Sequence, residues 1–132
     1  MPITVLYANL LGIVLLVLTI RVVYLLRAKA DIIYGDGGIA EDTTVLRAQM
    51  NFIEYIPLAL ILMAMLEFNG AGAGLLHGLG ITLVAARIVH PFGLHLSRSR
   101  MPGHFFGAGV TWLMIIVACA AGLLRFLSQT PV

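Results

Sequence analysis

Charge is what this chain has least of. Of its 132 residues, eight are lysine or arginine and six are aspartate or glutamate, 11% in all. Soluble domains carry about 25% charged and roughly 45–50% apolar residues, whereas the hydrophobic share here is 61%. A soluble core of this size could not hide so much apolar surface, so the composition points to a membrane protein. The net charge of +2 is small and the basic residues are scattered, which argues against a nucleic-acid partner. A single cysteine excludes an intrachain disulfide framework and a cysteine-based zinc site. Cys119 lies in an apolar run and reads as an inert core residue. The histidines show no HExxH or comparable spacing, so no metal site is assigned.

What the chain does have is long apolar runs. A hydrocarbon core of about 30 Å takes about 20 helical residues to cross. Four segments fit: about 3–26, 43–68, 73–96 and 102–127. The fold class expected is all-α, a single four-span membrane domain over 1–132. The first run is too long for the apolar region of a signal peptide and lacks a clear small-residue cleavage site, so it reads as a retained helix. Asn9 and Arg21 interrupt it, and Arg21, near the run's end, suits interfacial snorkelling, with reach from the first helix into a ligand site as the second reading. Residues 27–42 are polar, and Gly35-Asp36-Gly37-Gly38 breaks any helix there. Glu41-Asp42-Thr43-Thr44 then resembles a helix start. Pro57 is expected to kink the second helix. Gly70, Gly74 and Gly78, like Gly103 and Gly107, recur at intervals of four and suit close helix approach. Four spans put both termini on one side. Arg27, Lys29, Arg98 and Arg100 flank the opposite side, and the positive-inside rule then places both termini outside the cytoplasm.

The stretch Arg47-Ala-Gln-Met-Asn51-Phe-Ile-Glu54-Tyr55-Ile-Pro57 is the exception to this apolar pattern. Spacing of i, i+4, i+7 aligns Arg47, Asn51 and Glu54 in one helical stripe, with Tyr55 beside it. Glu54 lies roughly 15 Å into the second helix at 1.5 Å per residue. A charge facing lipid at that depth costs at least ~2.5–3.5 kcal/mol. Arg87 in the third helix sits at matching depth, with His90 at i+3, and a Glu54–Arg87 salt bridge is the simplest expectation. These groups read either as polar glue between helices or as a ligand site, and spacing alone leaves both open.

The pattern Arg, three residues, Asn, two residues, Glu, and Pro three further on resembles the second-helix signature of the MAPEG family, the membrane-associated proteins of eicosanoid and glutathione metabolism. The resemblance extends over the whole chain: similar length, four spans, a polar first loop, and Arg87-Ile-Val-His90 in the third helix. It implies a homotrimer that binds glutathione between subunits near the cytoplasmic face, with Arg47, Asn51, Glu54 and Tyr55 lining the site and Arg87 and His90 as further contacts. Arginines suit the two carboxylates of glutathione, Asn51 suits a peptide group, and Glu54 suits the ammonium. A nearby cation favours the thiolate, which could attack an electrophile or lipid hydroperoxide dissolved in the bilayer. Several catalytic members place a tyrosine one turn beyond the position of His90, where this chain has Leu94 followed by His95. The thiolate-activating arginine of such members corresponds only loosely to Arg98 or Arg100. Three readings therefore stand: a glutathione transferase or peroxidase acting on hydrophobic small molecules, a noncatalytic glutathione or lipid binder, and a small proton-coupled transporter. Short loops favour a bacterial inner membrane as the location.

Overall fold

In a computed structural model, the backbone is described over residues 2–24, 40–96 and 102–129, and side chains over 2–24, 46, 48–89 and 108–128. Four helices follow one another: α1 Pro2–Val22, α2 Ala40–Phe68, α3 Ala73–Leu96 and α4 Pro102–Gln129. Pro2 and Pro102 occupy first helical positions, where the missing N–H costs nothing. Pro57 lies inside α2. That helix stops in a Schellman turn. Gly70 has a φ of 71°, its N–H donates to the Glu67 carbonyl at 3.1 Å, and the Ala71 N–H reaches back to the Leu66 carbonyl at 2.9 Å. The left-handed backbone there suits glycine.

Each helix buries one narrow stripe. In α2 it is Ala48, Phe52, Ile56, Ala59, Met63 and Leu66; in α3 it is Leu76, Leu79, Leu83, Ala86 and Arg87. Steps of three and four residues are those of a packed helical face. The opposite faces are also apolar, with Ile13, Val17, Ile61, Met65, Leu113 and Leu124 all about half exposed or more. Helices apolar all round belong in lipid. Among the described residues three stretches are long and apolar enough to cross a membrane: Pro2–Val22, Ala48–Phe68 and Ala108–Ser128. The expectation of four such spans is met in part. α3 has 24 residues, but its described apolar stretch, Ala73–Val89, is shorter.

Polar contacts fix how the helices align. The Glu67 carboxylate, at the end of α2, accepts from the backbone N–H of Ile3 at 3.0 Å and of Thr4 at 2.8 Å. An anion thus caps the positive end of α1. Arg125 Nη1, near the end of α4, donates to the Asn69 carbonyl at 2.9 Å. The start of α1, the end of α2 and the end of α4 therefore share one end of the bundle. Gln49 Nε2 donates to Thr19 Oγ1 at 2.9 Å and ties α1 to α2 further along.

Two expectations are corrected. Cys119 is exposed, not in the core. The buried stripe of α4 runs through Ala108, Thr111, Met114 and Ala118, and one further residue turns the helix about 100° away from it. Gly70, Gly74 and Gly78 mediate no close approach among the described residues of the protomer, where a Cβ at each would meet nothing within 4 Å. Gly103 and Gly107 lie outside the residues whose side chains are described. The glycine that does admit a neighbour is Gly80, where a Cβ would fall 2.2 Å from the Tyr7 ring. That ring is buried and pinned by a 2.8 Å hydrogen bond between its hydroxyl and His77 Nδ1. Gly80→Ala is therefore expected to destabilise the protein by about 1–3 kcal/mol, the usual cost of overpacking, whereas Gly78→Ala should not lower stability. Thermal unfolding of the two variants in detergent checks the contrast, and equal midpoints would contradict it.

Candidate functional site

Arg87 joins three helices. It projects from the buried stripe of α3 and is 2% exposed. Its Nη1 donates to Asn51 Oδ1 on α2 at 2.5 Å, and its Nη2 donates to Thr111 Oγ1 on α4 at 2.6 Å. Its Nε is buried and finds no hydrogen-bond partner. A buried cation needs acceptors or a counter-charge. Here two neutral oxygens supply the acceptors, and no carboxylate pairs with Arg87 among the described residues. Beside this junction Tyr55 meets Trp112 edge-on, with ring centroids 6.3 Å apart.

The expected Glu54–Arg87 salt bridge does not form within the protomer. Glu54 is exposed, and the Arg87 contacts run instead to Asn51 and Thr111. The helical wheel explains it. The core face of α2 centres near Phe52 and Ile56. Relative to Asn51, Tyr55 turns about 40° toward that face and Glu54 about 60° away from it. The stripe read from sequence is thus split at its middle: Asn51 and Tyr55 are half-buried at the edge of the core, while Glu54 stands among exposed Ile53, Leu58 and Ile61.

Of the residues read from sequence, the structure brings Asn51 and Arg87 into direct contact and places Tyr55 on the same edge of α2. The side chains of Arg47 and His90 lie outside those described, as do Arg98, Arg100 and the side chain of Leu94. Two residues were missed or underweighted. Thr111 completes the arginine's coordination, and its only signal was being a hydroxyl in an otherwise apolar stretch of α4. Arg21, in the last turn of α1, reads from sequence first as a snorkelling residue and second as one that reaches the site, and it lines a groove between α1 and α3 together with Arg87.

The arrangement holds a fixed positive charge, a half-buried amide and a phenol inside a membrane-spanning bundle, with a carboxylate on the adjoining outer face. Such a set can orient a small zwitterion or polyanion.

A family model described as the MAPEG family matches residues 4–124. Two similar proteins are both named inner membrane protein YecN, one from Escherichia coli strain K12 and one from Escherichia coli O6:H1. Each is 38% identical over 120 residues, covering 89% of this chain and 88% of its own.

The Arg87 junction makes a specific energetic demand. Asn51→Leu leaves a buried N–H without its acceptor, which costs about 1–3 kcal/mol or more when the donor is charged. The double variant Asn51→Leu/Arg87→Met removes donor and acceptor together and should recover most of that loss. Denaturation of the wild type, both single variants and the double variant forms a thermodynamic cycle. Additive losses would show that the two side chains are not coupled.

Proposed function

The chain belongs to the MAPEG family and is an integral membrane protein, and on that basis we propose that it binds glutathione between subunits of a homotrimer. The activity proposed is that of a glutathione transferase or peroxidase acting on hydrophobic electrophiles or lipid hydroperoxides. The observation that carries this reading is Glu54. It is exposed on the outer face of a membrane-spanning helix, among isoleucine and leucine side chains. A carboxylate facing lipid near the bilayer centre costs several kcal/mol on insertion scales, ~2.5–3.5 for the related aspartate. A neighbouring protomer and a cationic guest remove that cost, and the glutathione ammonium is such a guest. Arg47 and Arg87 would meet its carboxylates and Asn51 its peptide groups, with Tyr55 and His90 as further contacts. Glutathione supplies the thiolate, so the chain needs no nucleophile of its own. Arg98 or Arg100 would hold that thiolate, and each tenfold gain in thiolate fraction takes about 1.4 kcal/mol of preferential stabilisation. The relatives' inner-membrane description supports a bacterial inner membrane as the location, and the basic residues flanking the first and third connections support termini on its outer side.

Three measurements on the purified protein test the reading. Isothermal titration should show glutathione binding that Arg47→Ala weakens by at least about tenfold, ~1.4 kcal/mol. Ultraviolet difference spectra should show a thiolate band on binding, and Arg98→Ala combined with Arg100→Ala should abolish it while binding persists. A chlorinated aromatic should be conjugated by the wild type. Binding with neither a thiolate band nor turnover would instead identify a noncatalytic binder, and glutathione affinity unchanged in Arg47→Ala would remove the assigned carboxylate contact.

A further inference from the structure

We propose that the main-chain carbonyl of Ile53, released by Pro57, joins the Glu54 carboxylate in receiving the ammonium group of glutathione, so that Pro57 selects for an amine-bearing ligand. The inference rests on the glutathione reading above and adds to it an acceptor that no side chain supplies.

Three observations carry it. First, Pro57 lies inside α2, which runs as one helix from Ala40 to Phe68. An α-helical carbonyl accepts from the N–H four residues on, and proline has no N–H. The Ile53 carbonyl therefore lacks that partner. Second, this carbonyl lies on the outer face of α2. It points along the helix toward Pro57, and Ile53, Glu54, Pro57 and Leu58 are all exposed, Ile53 at 54%. Among the described residues, no donor of another helix reaches it. Third, the two acceptors adjoin. Around the helix axis Glu54 is about 100° from Ile53 and about 60° from Pro57, and along it Glu54 is one residue, ~1.5 Å, from Ile53. Carbonyl and carboxylate are acceptors only, and both are costly to leave bare in lipid. An ammonium carries three donors and one positive charge, so it satisfies both at once. A hydroxyl or an amide N–H would satisfy the carbonyl but not the charge. The chain's single lysine, Lys29, lies in the polar stretch between the first two apolar runs, so a neighbouring copy brings no ammonium to this depth and the ligand must.

Isothermal titration of the full chain in detergent, with glutathione and with glutaryl-cysteinylglycine, which has hydrogen in place of the ammonium, tests the proposal. Alanine restores the missing N–H and is the best helix former, so Pro57→Ala keeps α2 while returning the Ile53 carbonyl to its own helix. The wild type should bind glutathione at least about tenfold more tightly than the deamino analogue, the scale of a hydrogen bond to a charged group. Pro57→Ala should weaken glutathione about tenfold and leave the analogue within about twofold. Pro57→Gly also regains the N–H but leaves the helix free to bend, and it should behave as Pro57→Ala does. Equal weakening of both ligands, or a loss in Pro57→Ala that Pro57→Gly does not share, would mean that the proline acts through the shape of the helix. Full glutathione affinity in both variants would mean that the carbonyl is not used. Each of these results overturns the proposal while the glutathione reading stands. A wild type that binds neither ligand would remove that reading and this inference together.

Discussion

A guanidinium group with no counter-ion among the described residues ties three helices of this bundle together. Arg87 sits where α2, α3 and α4 meet and satisfies two of its nitrogens with an amide and a hydroxyl. In a membrane, apolar packing alone does little to fix which helix lies beside which, because lipid tails solvate leucine as well as another helix does. A directional donor with partners on two other helices does fix it. The arginine sets the mutual rotation of three helices, at the cost of burying a charge. That cost is the physical basis for proposing that the same side chain, besides aligning the helices, receives an anion.

The opposite end of the bundle is organised differently. There Glu67 caps α1, Arg125 holds the turn after α2, and Tyr7 packs on Gly80 while bonding His77. Each of these polar groups meets a backbone group or a side chain of another helix, and the end acts as a clasp. The Arg87 end leaves ionic valence open instead: Nε is unpartnered and Glu54 faces outward. The buried group left without a partner at the Glu67 end is the neutral Thr4 hydroxyl, whereas at the other end it is a nitrogen of a cation, and that difference in charge is the reason for proposing an anionic ligand at the latter.

The architecture was largely legible in the sequence because a membrane restricts the choices. Apolar runs of about 20 residues become helices, since in lipid only a helix or a closed barrel satisfies the backbone and barrel strands are far shorter, and the second run, read as 43–68, ends where α2 does. The site was legible in its residue types but not in its pairing. Arg87 and Glu54 match in depth, and depth is read directly from residue number. Rotation is not, because the core direction of α2 depends on packing against three other helices. A difference of about 60° between Asn51 and Glu54 decides which of them faces the arginine. A rotation of about 100°, one residue past Ala118, likewise put Cys119 outside the core. Gly80 escaped notice because the conspicuous glycine spacing was Gly70, Gly74 and Gly78, whereas close approach depends on what stands opposite. For Gly80 that is Tyr7, 73 residues earlier in the chain.

The central claim is that unsatisfied ionic groups in the span are completed by a charged guest held where protomers meet. Native mass spectrometry of the wild-type protein, released from mild detergent with and without glutathione, tests it most directly. The account predicts a trimer that gains the mass of bound glutathione, with no such gain on a dissociated protomer. A protein that remains a single protomer and takes up no glutathione at millimolar concentration would contradict it.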